Sequence, residues 1–340
     1  MAGVIGAVRR LALAPPLTEV TFARRGFPGA SAPAARRLEA VPQAVICGFE
    51  WAIDSTDQWE LERRLELVEQ ELRGFAYEGA TMALTVRDVT GARRGRRTRD
   101  LLTGGGRPHL LLAYIGIGFA MARLPRPLWR KVLPDLTGLP YHPTMSWLAV
   151  DGLGFDRAYF HTRRWVVEQR QPAPYPWLGR PDYFGRAFDQ GIGRALWFIH
   201  GGQPQAVAAA VEEFAPPRRA DLFSGVGLAA TFAGGDLDLL PELAGPYRAE
   251  LAQGAVFAAK ARAESGFVPA HVETATRVLT GTSAAAAATL ADEVAVADTD
   301  GTGADGTHSG GARPDGPPAY ETWRRRIRER FAPGLRSTHY

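Results

Sequence analysis

DQGIGRALWFIHGG, Asp189 to Gly202, holds a Gly-x-Gly directly after an acidic and an amide side chain. A dinucleotide-binding loop needs a buried strand first, then Gly-x-Gly-x-x-Gly opening a helix, so that the backbone can approach a pyrophosphate. Here PDYFGRAF precedes the glycines, which is no apolar β-branched run, and Leu196 stands where the third glycine belongs. The alternative is a helix start at which small residues let a second helix come close. Recurrence favours it. YIGIGFAMARL carries Gly116 and Gly118, VDGLGFDRAYF carries Gly152 and Gly154, and FSGVGLAATFA carries Gly225 and Gly227. Weaker copies surround Gly48, Gly79 and Gly254.

Pairing the copies gives longer units: Gly48–Asp88, Gly116–Phe160, Gly191–Gly234 and a degenerate one from Gly254 to about Val296. Such self-similarity predicts stacked helices. The fold class read from the sequence is therefore mainly α, an array of packed helices with degenerate internal repeats led by Gly-x-Gly. Few segments read as strands.

The expected domain order is an N-terminal segment over 1–30, a helical body over 31–296, a disordered linker over 297–318 and an amphipathic helix over 319–333. The linker reading rests on DTDGTGADGTHSGGARPDGPP, which is polar and rich in Gly and Asp. In the last helix Trp323, Ile327 and Phe331 fall at i, i+4 and i+8, a basic amphipathic stripe expected to dock on the body, with membrane or partner binding as the alternative. Within the body, DQWELERRLELVEQELR (57–73) predicts one helix with Trp59, Leu61, Leu65, Leu67, Val68 and Leu72 on its apolar side. Residues 34–53 predict a helix interrupted or bent near Pro42, and 109–123 a buried one.

The chain has 340 residues, is 46% hydrophobic and carries a formal net charge of +4. Lys131 and Lys260 are the only lysines, so arginine supplies the positive charge. This composition points to coding bias, with no nucleic-acid partner expected. Cys47, the single cysteine, sits in AVICGF and reads as a buried small hydrophobe. One cysteine fits a reducing cytoplasm. The longest apolar run, Leu110–Ala122, is shorter than the about 20 residues needed to span a bilayer, so no transmembrane segment is expected. Scattered histidines give no metal site, and no cofactor is expected.

Chemistry-bearing residues cluster at the glycines. Glu78, Asp151, Gln190 (after Asp189) and Gln253 stand directly before them, with Ser224 in the same place before Gly225. Helix N-capping explains Ser224 and Asp151. It explains Glu78, Gln190 and Gln253 poorly, so a shared cavity remains open. DGLGFDRAYFHTRRW adds Asp156, Tyr159, His161 and Arg163, either an acid–base group beside an apolar pocket or a salt-bridged helix face. The candidate catalytic residues are Glu78, Asp151, Asp156, His161 and Asp189. The candidate substrate-binding residues are Tyr159, Arg163, Gln190, Arg194, Trp197, Gln253, Phe119 and Trp147.

FARRGF, GFAYEGATMAL, WLAVDGLGFDRAYFHTRR, DQGIGRALWFIHGG, RRADLFSGVGLAATFAGG, LAQGAVFAAKAR and AYETWRRRI together resemble an actinobacterial family of unknown biochemical function. Its members occur in enediyne biosynthetic gene clusters beside the enediyne polyketide synthase. The resemblance runs from about Phe22 to Phe331. It implies a pathway context: acting on or holding the linear polyene during formation or maturation of the enediyne core. It supplies no catalytic residues. The implied partners are the apolar polyene and the synthase or neighbouring pathway proteins. Arg93–Arg99 is a candidate surface for an acidic carrier, or simply a solvated loop. A non-catalytic helical scaffold or carrier is the alternative function. A nicotinamide or flavin oxidoreductase rests on Gly-x-Gly alone.

Overall fold

The computed structural model describes residues 16–29, 33–91, 96–296 and 316–332. The expected linker, up to residue 315, lies outside them, as do residues 1–15 and the first part of the Arg93–Arg99 stretch. The described residues fold mainly into helices, with no strand among them. The main helices are α1 (Pro33–Asp54), α2 (Gln58–Glu66), α3 (Gln70–Thr90), α4 (Arg97–Thr103), α5 (Leu110–Arg123), α6 (Trp147–Phe160) and α7 (Phe184–Ile199). They continue with α8 (Pro204–Glu212), α9 (Pro216–Ala233), α10 (Arg248–Glu264), α11 (Ala270–Thr280), α12 (Ala284–Glu293) and α13 (Ala319–Glu329).

Seven of these, α1, α3, α5, α6, α7, α9 and α10, form a series in which each packs on the next. The glycines explain the order. Residues two apart on a helix point about 200° apart, so the two glycines of Gly-x-Gly serve opposite neighbours. On α7, a Cβ at Gly191 would lie 1.9 Å from Asp151 O of α6, and one at Gly193 would lie 2.0 Å from Leu222 O of α9. The pattern repeats on α6, where Gly152 meets Ile115 O and Gly154 meets Phe188 O. At this separation glycine Cα–H groups face carbonyl oxygens directly.

The glycines thus occupy helix centres rather than helix starts, which corrects the sequence reading. The N-capping account of Asp151 and Ser224 falls with it, since both lie inside helices and are fully buried. Contacts beyond the glycines join the C-terminal halves of neighbours, as Phe119 with Phe155 (5.8 Å) and Phe155 with Phe198 (5.5 Å). Neighbouring helices therefore run in the same general direction. The long segments between them, including α2, α4 and α8, return the chain for each crossing. The series curves until Phe75 of α3 meets Phe232 of α9 at 5.8 Å.

Two boundaries differ from expectation. The 57–73 helix is broken: α2 ends at Glu66 and α3 begins at Gln70. Only Leu61 and Leu65 form the buried i, i+4 stripe of α2, while Trp59 and Leu67 are 67% and 85% exposed. Helix α1 runs through Pro42 without interruption. Cys47 is half-buried rather than buried, and burial followed by the Glu50 charge pushes its thiol up. The C-terminal helix docks as its pattern predicts. Tyr320, Trp323 and Ile327 are buried, and Trp323 Nε1 donates to Ala291 O at 2.8 Å. No described helix is long and apolar enough to cross a membrane.

Candidate functional site

The residue before the first glycine of each unit sits between the two glycine-bearing faces. In a curved series, that side points inward on every helix. Residues four further on share it. The inward rows are therefore Glu78, Ile115, Asp151, Gln190, Ser224 and Gln253, then Met82, Phe119, Phe155, Arg194, Leu228 and Phe257. They build two adjoining features, an apolar cavity and a buried polar ladder.

The cavity is enclosed by α1, α3, α5, α6, α7 and α9. Ile46, Phe49, Phe75, Met82, Phe119, Phe155, Tyr159, Phe198 and Phe232 supply much of its apolar and aromatic wall. Its volume is about 60 Å³. Its charged groups are few: Glu78, Arg194 and the Arg123–Asp156 ion pair.

Glu78 is 2% exposed, and its Oε2 has no hydrogen-bond partner among the described residues. Burial pushes its carboxyl up to about 8. The Arg194 guanidinium pulls against this and the Asp151 carboxylate adds to it. Glu78 therefore keeps its proton at neutral pH, an acid held in an apolar wall. Arg194 lies 5.0 Å from the centre of the Phe155 ring and donates to Asp151 Oδ1 at 2.5 Å. Its Nε has no partner among the described residues.

Asp151 also accepts from Gln190 Nε2 at 2.7 Å. Beyond it the ladder continues inward. Ser224 Oγ donates to Gln253 Oε1 (2.8 Å) and lies 3.4 Å from Gln190 Oε1, while Tyr320 of α13 pairs with Gln190. Arg324 Nε then donates to Gln253 Oε1 at 2.9 Å. The Arg324 NH1 group reaches Tyr183 OH (2.6 Å), Asp221 Oδ1 (2.8 Å) and Glu321 Oε2 (3.0 Å). Most of these groups satisfy one another, which is how polar side chains are tolerated inside a protein, although Gln253 Nε2 and the Arg324 NH2 group have no partner among the described residues.

The sequence candidates thus separate. Glu78, Phe119, Asp156, Tyr159 and Arg194 line the cavity. Asp151, Gln190 and Gln253 belong to the ladder behind it. Asp189 points elsewhere. It forms a two-pronged ion pair with Arg218, Nε to Oδ2 at 2.8 Å and NH2 to Oδ1 at 2.6 Å. Burial pushes the Asp189 carboxyl up while Arg218 opposes the shift. His161 and Arg163 lie on a surface cleft, Arg163 beside Glu168 at 3.4 Å. Trp197 Nε1 donates to Gly234 O at 3.0 Å, a packing role. Trp147 packs edge-on against Tyr183 at 4.9 Å, outside the cavity wall.

Sequence reasoning passed over Arg123, Tyr320 and Arg324. Arg324 had a signal: it falls inside the apolar arc of α13, between Tyr320 and Ile327, where an arginine needs a buried partner. Arg123 had none, since its partner Asp156 is on another helix.

A family model described as "Protein of unknown function (DUF1702)" matches residues 4–331, nearly the whole chain. The chain belongs to this family. No curated protein and no solved structure matches it. Among the described residues of this DUF1702 chain, no group of three or more His, Cys, Asp or Glu side chains is placed to hold a metal ion.

Proposed function

We propose that this DUF1702 protein acts on a linear polyene in the formation or maturation of an enediyne core, with the polyene in the cavity and Glu78 as its acid–base group. The motif resemblance supports the pathway. The observation that carries the chemistry is Glu78: a buried carboxyl, pushed up to about 8 by burial, with an unpartnered oxygen in a largely apolar wall. The rings of Phe119, Phe155 and Phe198 in the wall offer aromatic faces to a flat conjugated chain. Glu78 donates its proton to one carbon of the chain and recovers one from another position, giving an isomerised or cyclised product without net redox change. Arg194 steadies the carboxylate that forms between the two steps, and the aromatic rings face the transient cation. Asp151 and Gln190 position Arg194 and touch no substrate.

Occupancy and turnover are tested separately. Diphenylhexatriene, a neutral fluorescent polyene, should bind the wild type. Ala229→Phe fills the wall and should weaken binding about tenfold, or 1.4 kcal/mol. Unchanged fluorescence titrations in that variant would rule the cavity out. Glu78→Gln should leave binding intact and cut conversion of the pathway polyene about 100-fold or more. Full turnover in Glu78→Gln, together with intact binding, would overturn Glu78 as the acid–base group, whereas binding without any turnover by the wild type would favour the carrier reading.

The Glu78 proton also fixes a stability window. Its folded pKa, about 8, lies above the ordinary value of 4.5. Its contribution is complete below the unfolded value and is lost as pH rises through the folded one. Within that window each pH unit removes up to about 1.4 kcal/mol. Glu78→Gln carries no titrating proton. Urea midpoints should therefore show the variant gaining on wild type between pH 5 and 8. Parallel wild-type and variant curves would contradict a protonated Glu78.

A further inference from the structure

We infer that the arginine-lined cleft beside the cavity holds the phosphate group of an amphiphile whose apolar chain lies in the cavity. This rests on the apolar-ligand reading above and adds the ligand's head group.

The cleft is lined by seven arginines and a single carboxylate, Glu168. Over the whole chain, by contrast, 40 Lys and Arg stand against 36 Asp and Glu. Three of the arginines have acidic partners: Arg24 pairs with Glu19, and Arg163 and Arg170 share Glu168. The other four, Arg25, Arg126, Arg157 and Arg164, have no ion pair among the described residues. Carbonyls and aromatic faces hold them instead. Arg126 donates to Ala173 O at 3.2 Å and lies 5.4 Å from the Tyr175 ring centre. Arg157 donates to Ala122 O at 3.1 Å, and Arg164 lies 5.3 Å from the Trp165 ring centre. Arg25 donates to Tyr159 O, and its buried Nε has no partner. Guanidiniums fixed in this way keep donors for an incoming anion at little entropic cost.

The outer wall of the cleft is the π-helical turn Arg163–Val167, followed by Gln169 at a positive φ of 50°. Wide turns of this kind are frequent at functional sites. Phe160 joins the two spaces, because it lines both the cleft and the cavity and is half-buried. Arg25 and Arg123 each lie 5.5 Å from its ring centre. A chain entering past Phe160 would leave its head group among the arginines. A carboxylate is satisfied by one guanidinium fork. A phosphate ester, with more charge and more acceptor oxygens, uses several.

The test compares dodecyl phosphate below its micelle concentration, 1-dodecanol and inorganic phosphate by isothermal titration. The double variant Arg126→Gln/Arg164→Gln alters two exposed side chains, and its thermal melt confirms folding. Dodecyl phosphate should bind the wild type about tenfold or more tightly than dodecanol. The double variant should lose that advantage and bind dodecanol unchanged. Equal affinity for the two amphiphiles overturns the phosphate site and leaves the cavity reading standing. Inorganic phosphate binding as tightly as dodecyl phosphate, with dodecanol unbound, overturns both. Pelleting with phosphatidic acid vesicles, without binding of monomeric dodecyl phosphate, makes the cleft a membrane-facing surface and overturns the proposal.

Discussion

Gly191→Ala should destabilise the protein by about 3 kcal/mol or more, although alanine is the better helix former. The added Cβ would stand 1.9 Å from Asp151 O and 2.6 Å from Phe155 N. Neither is the tip of a flexible side chain, so α6 and α7 must separate. Separation also disturbs Asp151, which holds Arg194 at the cavity, so the loss reaches the site. Gly185 lies on the same helix with nothing within 4 Å of its would-be Cβ. Gly185→Ala should therefore stabilise by about 0.5–1 kcal/mol. Differential scanning calorimetry of the two variants gives opposite signs if the glycines are contact points. A Gly191→Ala midpoint within a degree of wild type would show that the helices are not in backbone contact.

This contrast explains what the sequence could and could not disclose. Gly-x-Gly recurring along apolar segments is a local pattern with one packing meaning, so the helical array was legible. The position of the glycines within each helix was not, because caps and close-approach sites both select small residues. Glu78 and Arg194 were legible as candidates, since their offsets from the glycines put them on the inward rows. Asp189 is adjacent to Gln190 and yet faces Arg218. One residue of helix turns a side chain by about 100°, so sequence adjacency could not decide between them. The pairing of Asp156 with Arg123 depends on a tertiary crossing that no spacing encodes.

Arg324→Met should cost about 3–5 kcal/mol, because it keeps side-chain length while stranding buried carboxylates. Arg324 is 0% exposed and joins Asp221, Glu321, Tyr183 and Gln253. Arg186 still reaches Asp221 (2.9 Å) and Glu321 (3.2 Å), and Arg328 still reaches Glu321 (2.6 Å), which places the cost toward the lower end. Burial alone would raise the Glu321 carboxyl, but Arg324, Arg328 and Arg186 hold it down at about 2. The sign of its pH dependence follows. A depressed carboxyl stabilises above its unfolded value and loses that contribution as pH falls through the folded one. The deficit of Arg324→Met should thus be largest at neutral pH and shrink between about pH 4.5 and 2. Arg325 on the same helix is the control, with a half-exposed side chain 3.8 Å from Glu329. Its methionine variant should change stability by less than about 1 kcal/mol. Urea denaturation of both variants from pH 7 to 3 separates the cases. A pH-independent deficit would mean lost packing alone. A shrinking one would show that Arg324 holds the buried carboxylates ionised and so closes the end of the polar ladder that runs through Gln253, Ser224, Gln190 and Asp151.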